Sequence, residues 1–107
     1  MPRVPSSSVF ISGELDALLK EVGPQHKFSK WINNMSDTLK ENMYAGQLIQ
    51  KHMIPDYYIE KYEVNHLFRY GHPEGYRSCY IVEHGSTRIL DLMSHEEYEK
   101  RFGYKTT

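Results

Sequence analysis

The sequence predicts an α+β fold: a helical hairpin packed on a small twisted antiparallel sheet, with a C-terminal helix. The first observation behind this prediction is length, because 107 residues make one domain. The second is that apolar residues recur every three or four positions in the first half, as in helices. The third is that the second half holds runs rich in β-branched and aromatic residues, as in strands. The predicted element order is β-α-α-β-β-β-α.

The first half predicts a strand and the two helices of the hairpin. Its elements in chain order are a flexible leader over residues 1–8, a strand over 9–11, and helices over 14–22 and 25–41. Ser12 is a suitable N-cap for the first helix, and Gly23-Pro24 ends it. Trp31 is expected to anchor the core rather than to stack on a nucleobase. The leader has no core residues of its own, so the domain is expected to span residues 9–107.

The second half predicts the remaining strands and the last helix. Its elements are a weak strand over residues 47–53, which the predicted order does not count, a short turn of helix over 55–62, strands over 64–70, 76–83 and 87–92, and a helix that follows Ser94. Residues 84–86 suit a tight hairpin loop between the last two strands. Ser94 and Glu97 form the Ser-x-x-Glu pattern of a capping box, and Gly103 ends the helix.

Composition gives little support to any one functional class. The formal net charge is −1, so a nucleic-acid site must rest on local placement of charge. No apolar run reaches the roughly 20 residues that span a bilayer, and no signal peptide is visible, so a cytoplasmic protein without membrane contact is expected. The single cysteine, Cys79, excludes an internal disulfide and is expected in the core. The histidines have no metal-site spacing, so neither metal nor small-molecule cofactor is expected.

Three segments resemble the RelE/ParE superfamily of type II toxin–antitoxin systems, in particular its RelE-like branch. They are Asn-His-Leu-Phe-Arg-Tyr at 65–70, Gly-Tyr-Arg-Ser-Cys-Tyr at 75–80, and Asp-Leu-Met-Ser-His-Glu-Glu-Tyr-Glu-Lys-Arg-Phe at 91–102. The resemblance implies a ribosome-dependent mRNA endonuclease that inhibits translation. It would cleave by attack of the ribose 2′-OH on the phosphodiester, without a metal. The implied partners are mRNA on the ribosome and a cognate antitoxin protein.

The resemblance also implies a set of site residues. The catalytic candidates are Arg77, His95 and Tyr98, and the RNA-binding candidates are Arg69, Lys61 and Tyr104. Arginine suits the phosphate because its planar fork holds two oxygens and stays charged. Histidine suits proton transfer because its ordinary pKa of about 6.5 lies near working pH. His95 and Tyr98 share a helix face, and whether His95 acts as acid or base is left open.

Structural roles for the same residues remain open. Arg77 would then pair with Glu63 or Asp91, Arg69 would be a solvated edge cation, and Tyr98 would pack under the sheet. The alternative function is a catalytically weak or inactive RelE-fold binding or regulatory module. It is motivated by the near-neutral charge and by residues 69–72, which hold no lysine pair where several family members carry one. A topoisomerase poison is a more distant third.

Overall fold

The computed structural model describes residues 3–103 and shows an α+β domain whose last element is a helix, as predicted. Its elements are β1 Val9–Ile11, α1 Gly13–Val22, α2 Lys27–Glu41, β2 Gln47–Leu48, α3 Asp56–Tyr62, β3 Phe68–Gly71, β4 Arg77–Glu83, β5 Ser86–Ile89 and α4 His95–Phe102. Short 3₁₀ turns over Lys51–Met53 and Pro73–Gly75 precede α3 and β4. The predicted caps are confirmed: Ser12 caps α1, and Ser94 forms a capping box with Glu97 at α4.

The sheet is mixed rather than wholly antiparallel, which corrects the prediction. Its strand order is β1-β5-β4-β3-β2, and all neighbours are antiparallel except β1 and β5. β1 runs parallel to β5, with Ile11 opposite Ile89. A parallel pair needs a long crossover, and here almost the whole domain lies between its two strands. No local sequence pattern encodes a pairing between segments so far apart.

The strands are also shorter than the sequence suggests. The strand predicted over residues 47–53 stops at Leu48, because the chain enters the 3₁₀ segment three residues later, at Lys51. The strand predicted over 64–70 begins only at Phe68, and the one over 87–92 ends at Ile89. The short helix predicted over 55–62 is confirmed as α3. Consequently β2 is a two-residue edge strand beside β3.

One face of the sheet packs against α1 and α2. The buried residues of this layer are Leu15, Ile32, Met35, Leu39, Phe68, Tyr80 and Ile89. Trp31 is 8% exposed and contacts the rings of Phe28 and Tyr76, so its predicted role as a core anchor is confirmed. The helical hairpin therefore covers this face as expected.

The opposite face packs against α3 and α4. The second buried cluster includes Tyr58 of α3, Tyr98 and Phe102 of α4, and Cys79, Ile81 and Leu90 beneath them. Residues 78–81 of β4 are all buried because helices lie on both sides of that strand. Cys79 is in the core, as predicted. The domain is thus three layers deep, and open clefts border the β2–β3 end of this face.

The described part of the predicted leader makes hydrogen bonds on two sides. The Ser6 hydroxyl donates to the Leu39 carbonyl at 2.6 Å, which joins this segment to α2. The Ser7 N–H donates to Gly85 at 2.8 Å, and Thr87 N–H donates to Ser8 at 3.0 Å, which joins it to the β5 side. Backbone pairing of this kind extends the line of β1 beyond Val9.

Candidate functional site

Two arginines from neighbouring strands meet above the ring of Tyr98. Arg69 of β3 lies opposite Cys79 of β4, and Arg77 is two residues before Cys79. Because side chains alternate along strands, all three point to the α4 side of the sheet. The Arg77 guanidinium carbon is 4.7 Å from the centroid of the Tyr98 ring, and that of Arg69 is 5.7 Å away. The structure therefore brings together three of the predicted site residues.

Tyr98 is fully buried, with 0% exposure. Its ring stacks on Phe102 at 4.1 Å, and its hydroxyl accepts a hydrogen bond of 3.3 Å from Arg69 Nη1. A side chain without solvent contact cannot reach a phosphodiester, so the catalytic role predicted for Tyr98 does not fit its position. The electron-rich face of the ring attracts both guanidinium groups, and Tyr98 is better described as the platform that positions them.

Arg69 hydrogen-bonds to uncharged partners in the described part of the chain. Its hydrogen bonds go to two neutral groups, the side-chain oxygen of Gln47 and the hydroxyl of Tyr98. Within residues 3–103 no Asp or Glu forms an ion pair with it. A partly exposed guanidinium with no carboxylate partner is a good binding site for an anion, since its remaining N–H groups can donate to a phosphate oxygen.

Two adjoining hollows open beside these arginines. One has a volume of about 430 Å³ and is lined by residues 45–47 and 69–71 together with Arg77. The other has a volume of about 440 Å³ and is lined by residues 47–50, Met53 and Arg69. Gln47 and Arg69 line both. We refer to the two hollows together as the arginine cleft, which is the strongest candidate for a binding site.

His95 lies next to the arginine cleft but does not line it. It is the first residue of α4, two positions after Met93, whose backbone pairs with that of Arg77. Its side chain is 45% exposed, and its Nε2 is 2.8 Å from a carboxylate oxygen of Glu99. When Nε2–H donates to Glu99, the lone pair of Nδ1 is free to accept a proton.

Lys61 does not join this group. The Lys61 ammonium hydrogen-bonds to Glu14 and to the hydroxyl of Tyr57, and these bonds raise its pKa. It lines neither hollow, so its predicted role in RNA binding is not supported by its position. The reason is that α3 directs Lys61 toward α1. Tyr104 lies outside the described residues.

A buried polar network holds α4 to the sheet. Asp91 accepts hydrogen bonds from the Tyr58 hydroxyl at 2.5 Å, the Cys79 backbone N–H at 2.8 Å and Arg101 at 3.1 Å. Burial raises the pKa of Asp91, while these donors and the charge of Arg101 oppose the rise. Oδ1 of Asp91 accepts the bond from Cys79, and Oδ2 accepts those from Tyr58 and Arg101. The residues of this network line neither of the two hollows.

Two residues of the site were missed by sequence reasoning. Gln47 depends on the register between β2 and β3, which no local pattern gives. Glu99 had a readable signal, since it lies four residues after His95 on one helix face. Within residues 3–103 no group of three His, Cys, Asp or Glu side chains is arranged to hold a metal ion.

Comparisons with family models, with curated proteins and with solved structures found no match for this chain. None of the helices in residues 3–103 has the length and apolar character needed to cross a membrane. Function must therefore be argued from the arginine cleft and its neighbours.

Proposed function

We propose that the chain is a RelE-like toxin, a ribosome-dependent mRNA endonuclease that inhibits translation. The observation that carries this proposal is the pair Arg69 and Arg77, held over Tyr98 at the wall of an open cleft. Two fixed cations on one side of a groove suit the phosphodiester of an RNA strand. Their charge would also stabilise the extra negative charge of a pentavalent phosphorus, which is commonly worth a few kcal/mol of barrier.

The chemistry needs a proton acceptor beside that phosphate. His95 Nδ1 takes the proton of the ribose 2′-OH while Glu99 holds the opposite ring nitrogen. The 2′-oxygen then attacks phosphorus, the bond to the 5′-oxygen breaks, and that oxygen takes a proton from water. The products are a 2′,3′-cyclic phosphate and a 5′-hydroxyl. This step requires the bound strand to extend from the arginine cleft across the start of α4.

The ribosome and an antitoxin are part of the same proposal. With a formal net charge of −1, the chain has no long-range attraction for RNA as a whole. An mRNA already presented in the decoding site removes that requirement, because its local concentration is high. A cognate antitoxin that covers the arginine cleft would neutralise the enzyme, and both proteins would act in the cytoplasm.

The test is expression without antitoxin, followed by mapping of cuts in translated mRNA. We expect growth arrest, and a loss of cutting of about 10²-fold or more on Arg77→Ala. Arg88→Ala is the matched control, because Arg88 is an exposed strand arginine that lines neither hollow. His95→Ala should abolish cutting, whereas His52→Ala, at an exposed histidine outside α4, should not. Folded wild-type protein that neither arrests growth nor cuts ribosome-bound mRNA would refute the proposal.

The second candidate is a catalytically inactive RelE-fold binding module. Two observations favour it: His95 does not line the cleft, and Tyr98 is shielded from solvent. Such a module would bind single-stranded RNA through Arg69 and Arg77 and leave it intact. Retained RNA binding by both wild type and His95→Ala, with no cutting by either, would identify this function.

A further inference from the structure

The second hollow of the arginine cleft has a composition that the phosphate chemistry does not explain. Besides Arg69, the residues that line it are three with apolar side chains, Leu48, Ile49 and Met53, and two with neutral amides, Gln47 and Gln50. Arg69 is the only charged residue among those lining it in the described chain. A hollow whose lining combines neutral polar groups with apolar side chains suits a flat, uncharged group with hydrogen-bonding edges.

Leu48 gives a further reason to expect an occupant. It is 64% exposed on the two-residue edge strand, beside the buried Ile49. Gln47 and Gln50 are also exposed, and the side-chain oxygen of Gln47 accepts a hydrogen bond from Arg69. That bond directs the amide oxygen to the arginine and leaves the amide N–H groups for another partner.

We propose that this hollow binds one unstacked nucleobase of a single-stranded RNA. This rests on the proposed function and names a base subsite for it. The phosphate lies at Arg69, on the boundary between the two hollows, and the attached base enters the hollow of Leu48, Met53 and Gln50. Leu48 and Met53 contact the base faces, and the Gln50 amide binds its edge. Only a single strand can supply such a base, because in a duplex the bases are stacked and paired.

The experiment measures binding by fluorescence anisotropy to three labelled RNA probes. They are a single-stranded hexaribonucleotide, the same backbone with abasic riboses, and a duplex of the same sequence. We expect the base-bearing strand to bind about tenfold or more tightly than the abasic one, since a seated base commonly contributes this much. The duplex is expected to bind no better than the abasic strand.

Two surface variants locate the effect. Gln50→Leu and Leu48→Ser should each weaken binding of the base-bearing strand by about fivefold and leave the abasic strand unchanged. Both residues are exposed, so the fold should tolerate the changes. Gln25→Leu is the matched control, because Gln25 is an exposed glutamine in the turn before α2. It should bind all three probes like the wild type.

The outcomes separate this inference from the proposed function. Equal affinity of the wild type for base-bearing and abasic strands, or an unchanged Gln50→Leu variant, would overturn the base subsite even if mRNA is cut. A clear base preference lost in Gln50→Leu, together with no cutting, would support the subsite and refute the nuclease. Failure of the wild type to bind either single strand would overturn the base subsite, while the nuclease would still be tested by the cutting of ribosome-bound mRNA.

Discussion

His72 directly follows β3 and is half-buried among aromatic side chains on the face of the sheet that α2 covers. Its ring stacks on Trp31 with centroids 6.2 Å apart and contacts Tyr70 at 5.3 Å. Its Nε2 is 2.8 Å from the hydroxyl oxygen of Ser78, which is fully buried. Burial lowers the pKa of His72 from 6.5 to about 4, because the imidazolium would lose hydration in this position. The protein should therefore lose stability in mild acid through this residue.

The sign follows from comparing the folded and unfolded states. Between pH 6.5 and about 4 the unfolded chain binds a proton at His72 and the folded chain does not. The part of the free energy of unfolding that depends on neutral His72 is fully present above pH 6.5. It falls as the pH drops and is lost below about pH 4. Each pH unit in that interval is worth at most about 1.4 kcal/mol, which gives a ceiling of about 3.4 kcal/mol. Because water still screens the half-buried ring, we expect about 2 kcal/mol.

The assay is urea unfolding followed by circular dichroism at pH 7.5, 6.0, 5.0 and 4.5. The variant His72→Gln keeps a hydrogen-bonding group near Ser78 but cannot titrate, so its free energy of unfolding should fall less in acid than that of the wild type. His52→Gln, at an exposed histidine, should follow the wild type. Parallel curves for wild type and His72→Gln across this range would refute the assignment of the acid loss to His72.

Three further predictions concern packing and hydrogen bonds. Gly46→Ala should cost about 1–3 kcal/mol of stability in urea unfolding, because the added Cβ would lie 2.8 Å from the ring of Tyr80 and closer still to backbone; an unchanged midpoint would show that β2 moves freely. Ser94→Ala should cost about 1 kcal/mol by the same measurement, since it removes the N-cap of α4, and Ser94→Asp should restore most of it. Tyr58→Phe should lower the free energy of unfolding by about 2 kcal/mol, because buried Asp91 loses a hydrogen-bond donor. The variant should also lose less stability than the wild type at alkaline pH. Burial raises the pKa of Tyr58 far above 10, so Tyr58 ionises only in the unfolded wild type. Equal alkaline curves for wild type and Tyr58→Phe would contradict that linkage.

Local signals predicted the elements well, and pairings between distant segments poorly. Ser12 and Ser94 predict where α1 and α4 begin, because an N-cap bonds to a residue only three positions away. The parallel contact of β1 with β5 depends on residues nearly eighty positions apart, and no local pattern contains it. The layer of α3 and α4 was also missed, although the continuous burial of residues 78–81 is the pattern of a strand covered on both faces.

The site was predicted in part for the same reason. Arg69 and Arg77 belong to adjacent strands, and their meeting required only the expected hairpin-like register of β3 and β4. Tyr98 was identified, but its exposure depends on how deeply α4 is packed, and the structure places it under the guanidinium groups. The direction of Lys61 toward Glu14 follows from the orientation of α3, which the sequence does not specify. Gln47 entered the site only through the short edge strand.

Cys79, the single cysteine of the chain, lies at the centre of β4 between helical layers, and burial raises the pKa of its thiol well above the ordinary value. A thiol that is both protonated and buried reacts with an alkylating reagent only in molecules that have unfolded locally or globally around it. The rate of iodoacetamide labelling at neutral pH therefore reports how often this protein opens spontaneously, without an added dye or a mutation. A partner that holds α4 against the sheet would lower the rate of Cys79 labelling.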